Sequence, residues 1–218
     1  MELPIFQVDA FTSEPFKGNP AGVCLLETAA PASWMQNVAA EMNVADTAFL
    51  VPRPDAEDAA EFDLRWFTPA AEVPICGHAT LASAHILFST GRLRSDATIR
   101  FHTLSGILLA SHADGQIELD FPAIPIEEVP LSGEVRDALG VRPIFAGRTP
   151  DRPTRCGNSL VEVETEQEVR EARPDFPKLL DAGYAVILTA RASSPGSSCG
   201  PSTHSTTTSP TSPAGSSW

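Results

Sequence analysis

The chemistry of this sequence centres on a carboxylate that could move a proton. Asp46 opens the strand-like run from Asp46 to Val51, and alternation along that run places apolar residues on both of its faces. A carboxylate at the end of such a strand is desolvated, which brings its proton affinity toward the range useful for a general acid or base. A strand-end cap, or an ion pair with Arg65, would explain the same aspartate without any chemistry.

A histidine stands at the start of the least polar segment of the chain. His78 follows Gly77, and no charged residue occurs from Ala79 to Phe88. The N-terminus of a helix offers unpaired backbone N–H groups and a positive dipole end, both of which favour an anion. His78 could therefore hold an anionic or enol-like oxygen together with the Gly77 amide, or pass a proton. It could equally bond a neighbouring carbonyl and have no role in chemistry.

A second histidine on this helix is not expected to join a metal site. His85 follows His78 by seven residues, which is about 10 Å along a helix axis and too far for two ligands of one ion. We therefore predict that His85 is a core residue.

Cys76 precedes the same helix. A thiolate there would be activated by the helix dipole, as the base of a two-base epimerase would be, whereas a small buried residue that closes the turn is the simpler interpretation. The four cysteines lie far apart and form no CxxC pair; they are Cys24, Cys76, Cys156 and Cys199. This pattern predicts reduced thiols without a disulfide framework or a zinc site, so the cysteines add no metal.

Asn19 is a weaker candidate for substrate binding. It lies in the Gly18-Asn19-Pro20 turn, and a turn explains all three residue types. Asn19 gains a role only if the fold brings it to the tip of the helix.

The elements that must position these residues can be predicted from the hydrophobic pattern. The charge-free run predicts a helix buried on all sides and ended near Gly91, and such a helix needs a surrounding layer. Strand-like segments flank it on both sides in the sequence, and the first two read as a hairpin; they cover residues 3–11, 21–26, 46–51, 62–68, 97–103, 106–111 and 116–121. An amphipathic helix precedes Asn43, with Ser33 and Gln36 as its expected capping box.

A Pro-rich segment, residues 122–130, separates a second and shorter unit. Helical patterns are expected at 131–139, 165–172 and 178–182, and strands at 158–164 and 184–189. From Arg191 to Trp218 the sequence is almost entirely Ser, Thr, Pro and Gly. Such a composition predicts a disordered tail, and a shifted reading frame is the alternative interpretation.

Charge and composition narrow the class of partner. The chain has 218 residues, 42% of them hydrophobic, and a net charge of −13. It lacks the basic surplus needed to neutralise nucleic acid or an anionic membrane, so a small-molecule substrate is expected. The N-terminus has no secretory pattern and no apolar run reaches the length of a membrane span, which predicts a soluble, cytoplasmic protein.

Five segments together resemble the phenazine-biosynthesis isomerase (PhzF-like) family of the diaminopimelate-epimerase-like superfamily. They are 8–11 (VDAF), 16–23 (FKGNPAGV), 35–49 (MQNVAAEMNVADTAF), 64–68 (LRWFT) and 76–80 (CGHAT). Their order, spacing and identity fit over residues 3 to about 121, and the fit is looser from 122 to 190.

The resemblance implies an α+β fold in which an antiparallel sheet wraps around a central buried helix, with this unit repeated pseudo-symmetrically. Residues 1–121 would form a complete first half, 122–190 a partial second half, and 191–218 a tail. The implied active site lies in the cleft between the halves and uses neither cofactor nor metal. A carboxylate at the position of Asp46 moves a proton on a small cyclic or amino-acid-like substrate, Gly77 and His78 hold that substrate, and the protein forms a homodimer.

This chain departs from the family pattern in two places. Where the family usually has Glu between Ser and Thr, Asp46 retracts the carboxylate by on the order of 1 Å, and a misplacement of that size can cost about 10²-fold in rate. The family's second-half signature, an Asp-Pro-Val-Thr-Gly-Ser-like stretch, is absent. The resemblance therefore implies a truncated or frame-shifted C-terminal part and a chain that is poorly stable and either weakly active or inactive.

The sequence thus predicts a cofactor-independent isomerase with Asp46 as proton shuttle and Gly77 and His78 as binding groups. A Cys76-dependent epimerase is one alternative, although neither Cys156 nor Cys199 lies at a matching second helix tip. The other alternative is a non-catalytic binding or scaffold protein that retains the fold.

Overall fold

The computed structural model of the protein describes residues 3–53, 60–150, 158–181 and 185–191. The chain divides into two units, Met1–Pro122 and Ala123–Trp218. The tail expected at residues 191–218 lies outside the described residues except for Arg191, and so do the thiols of Cys156 and Cys199.

The first unit is a single curled sheet with two helices. Its elements are β1 (Ile5–Ala10), β2 (Asn19–Leu25), α1 (Ala32–Met42), β3 (Asp46–Pro52), β4 (Glu61–Phe67), β5 (Glu72–Val73), α2 (Gly77–Ser89), β6 (Ile99–Thr103), β7 (Gly106–Ala113) and β8 (Gln116–Asp120). The strands are ordered β1-β2-β3-β4-β6-β7-β8, and β5 pairs with β4. The predicted hairpin of β1 and β2 is confirmed.

The sheet is mixed and largely antiparallel, as the resemblance implied. The pairs β2–β3 and β4–β6 are parallel, and the other neighbours are antiparallel. Parallel neighbours need a long crossover, usually a helix. Here α1 connects β2 to β3, and α2 lies between β4 and β6. Both helices are therefore tied to the sheet by the connections that they form.

The charge-free run forms the central helix α2, as predicted. This helix contacts β1, β2 and β3 as well as β7 and β8, so strands from both ends of the sheet curl around it. Its two buried hydroxyls bond the carbonyl four residues earlier: Thr80 Oγ1 donates to Cys76 O at 2.5 Å and Ser83 Oγ to Ala79 O at 2.7 Å. Polar side chains thereby fit inside an apolar core without an unpaired hydroxyl.

The prediction that His85 is a core residue is wrong, because its side chain is exposed. His78, Leu81 and His85 follow one another at helical spacing, and these three are only partly buried or exposed, whereas the residues between Leu81 and His85 are buried. They mark the one face of α2 that the sheet of the first unit leaves open.

The first unit has cores on both faces of β3. Ala48 and Leu50 pack with α2, and Phe49 packs with α1 on the opposite face. This arrangement confirms the prediction that both faces of this strand are apolar. Asp46, at the start of β3, is therefore placed beside a packed strand with little freedom to move.

The expected capping box of α1 is not formed. The helix begins at Ala32 after Pro31, with no side-chain cap, and the Gln36 amide donates to the Thr68 carbonyl at 2.9 Å instead. With Pro31 as the N-cap residue, the helix begins two residues earlier than it would with Ser33 in that role. The predicted end at Asn43 is confirmed by its left-handed backbone, with φ of 50°.

Within its described residues, the second unit contains a four-stranded sheet and three short helices. Its elements are β9 (Glu127–Glu128), α3 (Gly133–Leu139), β10 (Phe145–Arg148), β11 (Asn158–Val163), α4 (Glu166–Glu171), α5 (Phe176–Asp181) and β12 (Ala185–Ala190). The strand order is β12-β11-β10-β9, with β11 and β12 parallel. The sequence predicted all of these except β9 and β10.

Candidate active site

Asp46 reaches the site from the first residue of β3. The left-handed residue Asn43 ends α1, and β3 then runs parallel to β2 with Asp46 opposite Ala21. The side chain of Asp46 is 15% exposed, so solvent and a small molecule can reach it although most of it is buried. The alternative explanation, that Asp46 serves as the ion-pair partner of Arg65, is not supported. Arg65 instead pairs with both carboxylate oxygens of Glu72, each at 2.7 Å.

The N-terminal tip of α2 brings the other candidates to Asp46. Cys76 is the N-cap residue, with an extended backbone and no side-chain cap hydrogen bond. The preceding loop is held in place because Ser105 Oγ donates to the carbonyl of Pro74 at 2.7 Å. The helix tip therefore has a fixed position relative to the sheet.

Position 77, the first residue of α2, does not need to be glycine for structural reasons. Neither its backbone conformation nor a close neighbour demands the absence of a side chain. A Cβ added there would meet a single neighbour, Phe121 Cε2 at 3.7 Å, which is an ordinary contact distance. The absence of a side chain at this position leaves the amides of the helix tip accessible.

Three side chains that are far apart in the sequence meet at this tip. Cys76 Sγ lies 3.4 Å from Asp46 Oδ2 and 3.4 Å from His78 Nδ1. His78 Nε2 lies 3.8 Å from Asp46 Oδ2, and the His78 side chain is only 10% exposed. The structure thus assembles Asp46, Cys76 and His78 into one cluster, although no sequence pattern predicted contact between Asp46 and Cys76.

The surroundings set the protonation states of two members of this cluster. Burial raises the pKa of the Cys76 thiol well above its ordinary value, the Asp46 charge raises it further, and the backbone amides of His78 and Ala79 offset only part of the rise. Burial lowers the pKa of His78, and the backbone of Pro20 offsets part of that shift. At neutral pH the cluster therefore contains a neutral thiol and a neutral imidazole beside the carboxylate.

Asn19 lies near this cluster without joining it. It begins β2, two residues before Ala21 and next to Pro20, and its side chain is exposed. The neighbouring Gly18 is required by a close approach, since an added Cβ would lie 2.5 Å from the carbonyl oxygen of Ala10. The contribution of Pro20 to the environment of His78 was missed, because a turn already accounted for the proline.

The comparisons with known proteins bear on the whole chain. It matches the profile of the family described as phenazine biosynthesis-like protein (PhzC-PhzF) over residues 8–209. An uncharacterized isomerase of Halalkalibacterium halodurans is 45% identical over 196 residues, which cover 89% of this chain and 70% of that protein. The phenazine biosynthesis-like domain-containing protein of Homo sapiens is 51% identical over 165 residues, covering 74% of this chain and 52% of that protein.

A solved structure extends the similarity to the fold. The PhzF family protein of Enterococcus faecalis matches with a TM-score of 0.74 at 38% identity, covering 89% of this chain and 70% of that one. The resemblance inferred from the five sequence segments and the α+β fold class are confirmed. None of the helices in the described ranges combines the length and apolar character needed to cross a bilayer.

Proposed function

Because this chain belongs to the phenazine biosynthesis-like protein family, we propose that it is a cofactor-independent isomerase that moves a proton on a small cyclic or amino-acid-like metabolite. Two bacterial relatives are named isomerases, which supports this class of enzyme. The observation that carries the proposal is the cluster at the tip of α2, where Asp46 lies within 3.4–3.8 Å of Cys76 and His78.

In the proposed mechanism Asp46 is the proton shuttle. Its carboxylate removes a proton from a carbon of the substrate, and the electrons of that C–H bond pass into the adjacent π system. The proton held by Asp46 exchanges with solvent at the exposed part of the side chain, and Asp46 then protonates another carbon. A carboxylate serves this role best when it is partly desolvated and held in place. The aspartate side chain is shorter than the glutamate usual in the family, but its contact with Cys76 keeps the carboxylate at the helix tip. This contact limits the loss of rate expected from the shorter side chain.

His78 and the Gly77 amide would hold the oxygen on which negative charge develops. The lowered pKa of His78 keeps the imidazole neutral, so it acts as a hydrogen-bonding group and does not form an ion pair with Asp46 at neutral pH. Backbone N–H groups at a helix tip stabilise a developing oxyanion without needing to reorganise.

Cys76 would orient the carboxylate as a hydrogen-bond donor. Its thiol lies 3.4 Å from Asp46 Oδ2, and its raised pKa keeps the proton on sulfur. A base in a two-base epimerase must lose that proton easily. The environment of Cys76 therefore favours Asp46 over Cys76 as the proton-transferring group.

The test is solvent-proton exchange with a substrate panel. The chain is incubated in D₂O with small hydroxylated cyclic amino acids and related carboxylates, and deuterium incorporation is followed by NMR. The proposal expects incorporation at a specific carbon of at least one compound, with loss of the signal in His78→Gln as well as in Asp46→Asn. Binding of a compound without exchange in any form of the protein would instead support the scaffold alternative.

The cytoplasmic location and the homodimer remain predictions. Sedimentation analysis of the chain would test the second, with a dimer mass expected.

A further inference from the structure

We propose that Asp46, Cys76 and His78 also form a binding site for a soft divalent cation of the Zn²⁺ class, and that occupancy of this site blocks proton transfer. The binding part of the proposal stands on geometry alone. The inhibitory part rests on the proposed function, because it requires Asp46 to be the proton shuttle.

The separations between the three side chains fit tetrahedral coordination. Zinc binds sulfur at about 2.3 Å and nitrogen or oxygen at about 2.0–2.2 Å, so neighbouring donors around it are roughly 3.3–3.7 Å apart. In the cluster, Cys76 Sγ lies 3.4 Å from Asp46 Oδ2 and His78 Nε2 lies 3.8 Å from the same oxygen, and one ligand atom from each of the three residues lies within 4.8 Å of the others. Shifts of at most about 1 Å would therefore bring the three donors to tetrahedral separations around an ion.

The donor types select the kind of ion. One thiol, one imidazole and one carboxylate form a mixed sulfur, nitrogen and oxygen set. Thiolate and imidazole favour zinc and related transition metals, whereas magnesium and calcium prefer oxygen ligands alone. The three protein ligands leave a fourth position for water.

Charge balance favours occupancy of a site that is mostly buried. On binding, the ion replaces the proton on Cys76 Sγ, which is released to solvent. The double positive charge of the ion then meets one thiolate, one carboxylate and a neutral imidazole, so the occupied site is electrically neutral. A neutral site costs less to bury than a charged one.

His78 supplies an independent indication that this cluster can accept a ligand. Its side chain is nine-tenths buried, and Nε2 forms no hydrogen bond within the part of the chain that the structure describes. A metal ion bound at this nitrogen would displace no protein hydrogen bond from it. An ion bound between the three groups would also occupy Asp46 and His78 together, which removes both from proton transfer.

The experiment follows Co²⁺ as an optical probe of zinc sites. In a variant with Cys24→Ala, Cys156→Ser and Cys199→Ser, Cys76 is the only thiol left of the four. A thiolate-to-cobalt charge-transfer band that saturates at one equivalent and is abolished by one equivalent of Zn²⁺ is expected. Because the site itself is unaltered in this protein, the band assigns the ligand without a substitution in the cluster. Absence of the band, or loss of saturation at one equivalent, would overturn the proposal.

Substitutions then identify the other ligands. In the same background Asp46→Asn and His78→Gln should each weaken Zn²⁺ binding by at least about 100-fold. Loss of a residue that only hydrogen-bonds to a metal ligand typically weakens binding by about 10–100-fold, so a larger effect identifies a ligand. The control His85→Gln removes an exposed imidazole from the same helix and should leave the affinity unchanged. Equal weakening by the control, or none by His78→Gln, would contradict the assignment.

Inhibition is measured separately. The proton-exchange rate should fall in proportion to Zn²⁺ occupancy and recover on addition of EDTA, whereas undiminished exchange at full occupancy would refute the inhibitory role. If the chain shows no exchange at all, the proposed function fails while the Co²⁺ spectrum still decides the metal site.

Discussion

Replacing the proposed proton shuttle by its amide gives the sharpest prediction. Asp46→Asn keeps the size of the side chain and an oxygen within reach of the Cys76 thiol, which lies 3.4 Å from Oδ2. An amide cannot take up a proton at neutral pH. The substitution therefore removes the acid–base chemistry while the packing at the start of β3 is retained.

The expected loss can be stated from the role of the residue. Positioned general acid–base catalysis contributes typically about 10²–10⁴-fold in rate, so exchange should fall by that factor, or by about 3–5 kcal/mol in transition-state stabilisation. A second effect concerns Cys76, because the Asp46 charge is one cause of its raised pKa. Two unit charges separated by 3.4 Å interact by about 1.2 kcal/mol even in bulk water, which corresponds to a roughly eightfold increase in reactive thiolate once the charge is removed.

Two assays read these effects independently. Deuterium incorporation in D₂O measures the exchange rate, and alkylation at fixed pH, resolved by mass spectrometry of the Cys76 peptide, measures the thiolate. Asp63→Asn is the matched control, since Asp63 lies on the adjacent strand β4 in an exposed ion pair with Arg53 at 2.5 Å. It should change neither readout.

The two readouts separate the possible failures of the reasoning. Retained exchange in a folded Asp46→Asn protein would refute the role of Asp46 as proton shuttle. Lost exchange with an unchanged alkylation rate would show that Asp46 does not act on Cys76 across the distance seen in the structure. Circular dichroism and thermal melting establish that the variant and its control are folded.

Three further predictions concern the central helix. Burial lowers the pKa of His78 from 6.5, so the unfolded chain binds the proton more readily than the folded one. The unfolding free energy should therefore fall as pH is lowered from 6.5 toward the folded-state pKa. Urea titrations at several pH values should show that His78→Gln removes this part of the decrease. Gly77→Ala should change the unfolding free energy by no more than about 1 kcal/mol relative to the unsubstituted chain, because the new Cβ meets only Phe121 at 3.7 Å. The apparent substrate affinity should drop. A large loss of stability together with the loss of affinity would argue for a structural role of Gly77. Leu87→Ala, at a fully buried position, should cost about 2–5 kcal/mol, against less than about 0.5 kcal/mol for the exposed His85→Ala, as measured by chemical denaturation.

Much of the first unit could be predicted because its elements carry strong local signals. The absence of charge from Ala79 to Phe88 predicted a buried helix, and alternation or apolar runs predicted the longer strands. The strands β5, β9 and β10 were missed because they span only two to four residues, too few for any periodicity to show. The exposure of His85 was missed because an uncharged helix gives no polar stripe to mark its open face.

The candidate site was predicted as a set of residues but not as an arrangement. Asp46, Gly77 and His78 were recognised from their residue types and from the resemblance to a family. The contact between Asp46 and Cys76 depends on the parallel pairing of β2 with β3 and on the position of α2 across the sheet. Pairing across 30 residues leaves no trace in local sequence, so this contact could be obtained only from the structure.

The helix tips of this chain differ in a way that bears on function. Ser132 caps α3 and Thr165 caps α4 with side-chain oxygens, whereas α1 and α2 have no side-chain cap. The start of α1 is exposed, so water can satisfy its amides.

The start of α2 is partly buried, and its N-cap residue Cys76 offers only sulfur, a weak acceptor. The His78 and Ala79 amides meet this sulfur, whereas an oxygen acceptor at the same position would add about 1 kcal/mol of stability. A substrate oxygen held beside Asp46 and His78 would be a stronger acceptor for the amides of the tip than sulfur. We therefore propose that the tip of α2 binds the substrate oxygen, and the affinity of Gly77→Ala tests this role.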